Sequence, residues 1–158
     1  MNKKGSVLVV DDEVSICEGC KKILLKEGLY VDTAKDGLEA KEKIRREKFD
    51  LVLVDLKLPQ LSGEDLLHWL HSSNPDIVPV VITGYPSFDG AVTAVKEGAY
   101  DYIPKPFTSG ELRRVVRRGL ERKWLIQEMR RLREEQEKNL KLLSQERTKL
   151  KSVINSMT

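Results

Sequence analysis

Apolar residues over the first hundred positions fall into short runs separated by stretches of helical spacing. Val7–Val10, Leu51–Val54 and Val78–Thr83 are the pattern of strands buried on both faces. Tyr30–Ala34 and Tyr100–Ile103 read as two further strands. Between them, Val14, Ile16, Cys20, Ile23 and Leu24 recur near helical spacing up to Glu27, with Gly28 as a stop. A second helix is expected over Asp36–Arg46. A third starts after a Pro59/Ser62/Gly63 loop, with Ser62 as its N-cap and Glu64 and Asp65 in its first turn, and runs to His71. A fourth is expected over Ser87–Glu97, stopped by Gly98. Strands and helices alternating in this way predict parallel β-α-β units. The fold class is therefore α/β: a doubly wound, five-stranded parallel sheet between two layers of helices.

The last third of the chain follows another rule. From Ser109 onward there is no proline, and Gly110 and Gly119 are its only glycines. One helix is expected from about Gly110 to near the end; ~45 residues at ~1.5 Å each would reach ~70 Å. Apolar residues stand at Leu125, Met129, Leu132, Leu140, Leu143, Leu150, Ile154 and Met157, with Gln136 and Arg147 in the remaining seam positions. The steps are 4, 3, 4, 4, 3, 4, 3, 4 and 3, a heptad seam with one stutter. A stripe this narrow asks for another helix, most simply a parallel copy of itself. The seam predicts a homodimer through the C-terminal helix and leaves the dimer's orientation open.

Charge separates the same two parts. The 158 residues carry a net +3. Residues 1–110 hold 14 basic and 18 acidic side chains, a net −4; residues 111–158 hold 14 and 7, a net +7. An apolar share of 40% is enough for a core and argues against a disordered chain. Aromatics at 6% argue against a stacking platform for single-stranded nucleic acid. No apolar run approaches the ~20 residues that span a bilayer, and Met-Asn-Lys-Lys-Gly has no signal-peptide character, so a soluble, cytoplasmic protein is expected. The basic helix, with Arg113, Arg114, Arg117, Arg118, Arg122 and Lys123, raises DNA binding as a competing class. Acidic residues are interspersed, however, and no separate basic region precedes the seam, so direct nucleic-acid binding is not favoured. Cys17 and Cys20 have the C-x-x-C spacing of redox pairs but lie inside a helical stretch, which favours packing over redox or metal chemistry.

In a doubly wound sheet, ligands bind at the carboxyl ends of the central strands. Asp11, Asp12 and Glu13 follow the first strand, Asp55 ends the third, Thr83 ends the fourth, and Lys105 follows the fifth between Pro104 and Pro106. Clustered carboxylates repel one another, and a divalent cation is the natural compensation. Oxygen ligands that leave room for water suit Mg²⁺. Such an ion would neutralise a phosphoryl group in transfer. Asp55, alone at the end of the middle strand, is the best-placed nucleophile for an aspartyl-phosphate. Thr83 and Lys105 are placed to give the phosphoryl oxygens a hydrogen bond and a positive charge.

These residues carry a resemblance. Val-Leu-Val-Val-Asp-Asp-Glu at 7–13, Asp55 with Pro59 and Gly63 behind it, Ile82-Thr83-Gly84, and Gly98-Ala-Tyr-Asp-Tyr-Ile-Pro-Lys-Pro-Phe107 resemble the receiver domain of bacterial two-component response regulators. The segment around Thr83–Phe107 is most similar to the nitrogen-regulator-type subgroup. The resemblance implies a flavodoxin-like receiver over 1–123, in which a histidine kinase or phosphotransfer protein phosphorylates Asp55. It implies Mg²⁺ on Asp11, Asp12, Asp55 and the backbone carbonyl of Lys57, and a cis Lys105-Pro106 peptide. It also implies a switch in which Thr83 moves toward the phosphoryl group and Tyr102 turns inward, repacking the face made by the 87–97 helix, the 100–103 strand and the helix after Ser109. Residues 124–158 resemble a signalling-helix linker, and Val153–Thr158 resembles the entry of a PAS domain. This implies an output module beyond the chain, with a hybrid histidine kinase as the alternative setting and, with it, kinase activity in a full-length protein.

Lys57, two residues after Asp55, and Tyr85, two after Thr83, flank the expected path of a hydrolytic water. Both are long side chains and predict a shielded, slowly hydrolysed acyl phosphate. Lys57→Asn and Tyr85→Ala are expected to shorten the phosphoryl half-life; unchanged lifetimes would remove the shielding idea.

Overall fold

The computed structural model describes residues 4–84, 96 and 98–157. In chain order these form β1 (Ser6–Val10), α1 (Val14–Leu25), β2 (Tyr30–Ala34), α2 (Gly37–Arg46), β3 (Leu51–Asp55), α3 (Gly63–Ser73), β4 (Val78–Thr83), β5 (Asp101–Pro104) and α4 (Ser109–Ser156). The helix expected over 87–97 falls almost wholly outside the described residues. The five strands are parallel, in the order β2-β1-β3-β4-β5. This is the doubly wound sheet that the alternation of elements predicts.

The unbroken apolar runs occupy the middle of that sheet because both faces are covered. Val7–Val10 and Leu51–Val54 have no exposed surface, and each such side chain contributes about 1.5–3 kcal/mol of burial. Pleating sends alternate residues to opposite faces. Leu8, Val10, Val52, Val54 and Val81 share a core with Ala40 and Ile44 of α2 and Leu66, Leu67 and Leu70 of α3. On the other face Cys17 of α1 lies against the Val9 carbonyl, and Gly119 of α4 faces Leu51 and Val78. A β-carbon on Gly119 would stand 2.6 Å from Leu51 Cδ1, so glycine sets how closely the helix approaches the sheet.

Local chemistry starts and stops the helices. Asp36 and Ser62 accept hydrogen bonds from the amides of Glu39 (2.8 Å) and Asp65 (3.1 Å), and Thr108 does the same for Glu111 (3.1 Å). Helix α1 ends at Leu25, two residues earlier than the apolar spacing predicts, and Gly28 completes the turn at φ +80°. Cys17 and Cys20 are free and buried in α1. Burial pushes their thiols up to about 11 and about 12, so neither forms a thiolate near neutrality and both serve as packing.

By contacts the chain divides into Met1–Lys123 and Trp124–Thr158. In the first unit, Leu112, Val115, Val116 and Leu120 of α4 are buried. Lys123 closes this stretch with its ammonium 2.6 Å from Asp50 Oδ1, while Asp50 Oδ2 accepts from the Ser6 amide at 2.9 Å. The second unit is helix as far as Ser156, and every described residue from Leu125 onward is exposed. Among the described residues, no helix is long and apolar enough to cross a membrane.

Gly63 opens α3 directly beneath the end of β3. A β-carbon there would lie 2.2 Å from the Asp55 carbonyl oxygen and 2.6 Å from Leu56 Cα, both backbone atoms that cannot yield as a side chain would. Gly63→Ala is therefore expected to destabilise the domain by about 2 kcal/mol or more, read as a lower urea midpoint.

Candidate functional site

The strand order places a crevice between β1 and β3. From β1 the chain crosses to β2 on one side and then returns to β3 on the other, so the loops after β1 and β3 diverge. Register brings their acids level. Val10 pairs with Val54, which puts Asp11, the next residue, beside Asp55. Asp55 pairs in turn with Ile82, and Thr83 pairs with Pro104, so Thr83 and Lys105 sit one step further along the same edge. The Lys105 amide donates to the Thr83 carbonyl at 2.7 Å, tying the last loop to β4, and the Lys105–Pro106 peptide is cis.

Lys105 joins the acids. Its ammonium lies 2.8 Å from Asp11 Oδ2, 3.0 Å from Asp55 Oδ2 and 3.4 Å from Glu13 Oε1. Asp11, Asp55 and Thr83 are buried, whereas Asp12 and Glu13 are exposed. Each buried carboxylate uses one oxygen to hold its own loop. Asp11 Oδ1 accepts from the Glu13 amide at 2.9 Å, and Asp55 Oδ1 accepts from the Lys57 amide at 3.0 Å. Burial pushes the Asp11 carboxyl above its ordinary range, and the nearby Asp55 charge adds to this, against the lowering pull of Lys105 and the Glu13 amide. Burial also works to lower the Lys105 pKa, but its contacts with Asp11 and Asp55 outweigh that and hold the ammonium above its usual range.

Asp11, Asp12 and Asp55 each offer a carboxylate oxygen within 4.8 Å of the others. Asp11 Oδ2 is fully buried and, although the Lys105 charge stands beside it, accepts no hydrogen bond of good geometry. A buried oxygen with an uncommitted lone pair, next to two more carboxylates, is a hard donor set that fits Mg²⁺.

Each of the pocket residues named from the sequence is therefore placed on one sheet edge. Lys57 enters it through its backbone amide. Tyr102 is half-buried on β5 opposite Val81, where it lines an open hollow of about 450 Å³ with Thr108, Glu111 and Val115. Tyr85 lies outside the described residues. Two contributors carried weaker signals in the sequence. Glu13 stood in the acidic run without an assigned part and reaches Lys105. Gly63 read as a turn residue, yet its missing side chain is what lets α3 pass under Asp55.

Comparison with known proteins agrees with this geometry. The sequence profile of the response regulator receiver domain matches residues 7–117, and the chain belongs to that family. It is 39% identical over 114 residues to the transcriptional regulatory protein ZraR of Klebsiella oxytoca, covering 72% of this chain and 26% of ZraR. It is 33% identical over 118 residues to the DNA-binding transcriptional regulator NtrC of Escherichia coli, covering 75% of this chain and 25% of NtrC. The chain thus spans about a quarter of the length of these relatives. A crystal structure of a CheY-like receiver domain from Methanospirillum hungatei superposes with a TM-score of 0.73 at 34% identity, over 77% of this chain and 97% of that one. The fold is that of a two-component receiver with homologues of the NtrC type, followed by a long helix, and its acidic triad marks the phosphorylation pocket. A receiver implies a histidine kinase as its partner.

The raised Asp11 pKa sets a pH test in the presence of a chelator. An acid whose folded pKa exceeds its unfolded value weakens the fold when ionised. That penalty is complete above the folded pKa and vanishes as pH falls below the unfolded value of 3.8. Asp11→Asn is expected to raise Tm by a few degrees at pH 7, with the gain shrinking as the pH is lowered toward 4. A gain that is constant with pH would contradict it.

Proposed function

We propose that Asp55 is the phosphoacceptor of this chain. A carboxylate oxygen of Asp55 attacks the phosphorus of a phosphohistidine presented by a kinase or phosphotransfer protein. The P–N bond breaks, its electron pair and a proton go to the imidazole nitrogen, and an acyl phosphate forms on Asp55. Asp11, Asp12, Asp55 and the Lys57 carbonyl hold Mg²⁺, which supplies charge neutralisation for the phosphoryl oxygens. Lys105 binds one of those oxygens, and exchanges its present carboxylate contacts for it without leaving the pocket. Thr83, on the adjoining strand end, donates its hydroxyl to another. The observation that carries this reading is the Lys105 ammonium held between Asp11 and Asp55, with its side chain 12% exposed. It is a positive charge placed in advance where negative charge must accumulate.

The output follows from the same pocket. A dianionic group on Asp55 draws Thr83 inward and vacates space that Tyr102 takes up, and the hollow beside Tyr102 supports such a movement. The receiver occupies 1–123 and residues 124–158 form a dimeric coiled coil that passes the change to an output module. The seam supports pairing: Leu132 and Leu150 are 52% and 63% exposed, and the other apolar seam residues are comparably open. The stutter between Gln136 and Leu140 is the natural yielding point of the coil. The setting is cytoplasmic.

Incorporation of labelled phosphoryl from a phosphohistidine donor tests the pocket. Asp55→Asn is expected to abolish it, chelation of Mg²⁺ to reduce it to background, and Lys105→Ala to slow it about a hundredfold. Full labelling of Asp55→Asn would overturn the assignment.

A further inference from the structure

Glu13 is the N-cap residue of α1, with extended backbone (φ −84°, ψ 111°), yet its side chain accepts no hydrogen bond from the helix amides. That position favours the short Asp, Asn, Ser and Thr, whose side-chain oxygens fold back onto the N2 or N3 amide. Asp36 and Ser62 do this for α2 and α3. Glu13 has one methylene more than aspartate and is used in another direction. Its Oε1 accepts from the Lys105 ammonium at 3.4 Å, 92 residues further along the chain. Helix formation gives no reason for a glutamate here; the reach to Lys105 does.

Lys105 faces three carboxylates that differ in their other commitments. An ammonium has three N–H donors. Those of Lys105 make hydrogen bonds with Asp55 Oδ2 at 3.0 Å and Glu13 Oε1 at 3.4 Å, whereas Asp11 Oδ2, at 2.8 Å, contributes charge without a hydrogen bond of good geometry. Asp11 and Asp55 belong to the triad that fits a cation. Asp55, on the reading above, also takes the phosphoryl group. Glu13 has neither commitment. Its side chain is 57% exposed and that of Lys105 is 12% exposed, so the glutamate meets the ammonium from the solvent side.

We propose that Glu13 is a positioning residue for phosphoryl transfer, acting through Lys105. It holds the ammonium over the crevice while Asp11 and Asp55 turn to the cation and the incoming phosphoryl group. This rests on Asp55 being the phosphoacceptor. A lysine ammonium is strongly hydrated and sits on a flexible stem. Once its two inner partners are occupied, water draws it outward unless a third carboxylate retains it. Because the contact is exposed, its effect on rate is modest.

Phosphorylation of the full chain by phosphoramidate tests this. The phosphoryl group passes from nitrogen to a carboxylate oxygen of Asp55 and ammonia leaves, so no partner protein enters the measurement. At saturating Mg²⁺, Glu13→Ala and Glu13→Asp are each expected to slow labelling about three- to fivefold, and Glu13→Gln, which keeps an acceptor oxygen, to slow it less. Glu13→Asp separates this role from a structural one. It is expected to hold or raise Tm, because aspartate can cap α1. It also keeps the charge, so its Mg²⁺ affinity by calorimetry is expected to stay within about twofold of the parent. In a Lys105→Ala chain, adding Glu13→Ala is expected to cost nothing further, since its effect runs through the ammonium. Parent-like rates in Glu13→Ala and Glu13→Asp overturn the inference, as does equal slowing by Glu13→Ala with and without Lys105. A loss in Glu13→Asp that more Mg²⁺ restores assigns Glu13 to metal binding and also overturns it. A parent chain whose Asp55 takes no label overturns the phosphoacceptor reading itself, and the role of Glu13 with it.

Discussion

The Lys105 ammonium between Asp11 and Asp55 is the contact on which the functional edge depends. Two carboxylates brought side by side by the pairing of β1 with β3 would repel each other in a site where water is scarce. Lys105 sits 2.8 Å from one and 3.0 Å from the other, and makes their proximity tolerable. It does so without saturating them. Asp11 keeps an oxygen free of hydrogen bonds, and its raised pKa marks a carboxylate charge that Lys105 compensates only in part and that a hard cation would stabilise. The same interaction that stabilises the resting fold thus prepares the edge for a metal and a phosphoryl group.

That contact requires backbone to be placed closely from three directions. β1 and β3 set the acids level through the Val10–Val54 pairing. The Lys105 amide is bound to the Thr83 carbonyl, so the lysine arrives from the far side of the sheet at a fixed height. Gly63 permits α3 to pass directly beneath Asp55, and the Asp55 carboxylate is oriented by the Lys57 amide. Together these contacts fix the main chain and one carboxylate oxygen of Asp55, and leave Asp55 Oδ2 facing Lys105.

At the opposite end of the domain, another lysine, this one buried, has a different part. Lys123 binds Asp50, whose other oxygen takes the Ser6 amide. One carboxylate thereby ties the start of β1 and the region before β3 to the last residue of α4 that belongs to the first unit. Gly119 and Leu120 complete that attachment against Leu51 and Gly5. The helical residues that pack the sheet are therefore anchored by burial and charge, whereas those after Trp124 carry an exposed apolar stripe.

Periodicity alone was enough for the order and type of the described elements, because strands buried on both faces must be continuously apolar and helices covering a sheet must repeat near 3.6 residues. Asp11, Asp12, Asp55, Thr83 and Lys105 were legible for the same reason: each follows or ends an apolar run, where topology puts function. The heptad spacing of the last helix is likewise a property of the sequence. Other features belonged to tertiary structure. That Glu13 reaches Lys105, that Gly63 lies under the Asp55 carbonyl, and that Lys123 is buried against Asp50 all depend on distances between segments far apart in the chain. The raised pKa of Asp11 belongs with them, since burial and neighbouring charge are made by packing. The sequence by itself determined which residues stand at the strand ends and which stripe of the last helix is apolar, because both follow from local periodicity. Only the tertiary structure decided which oxygens are held and which remain free, because that is settled by how closely separate strands and loops approach.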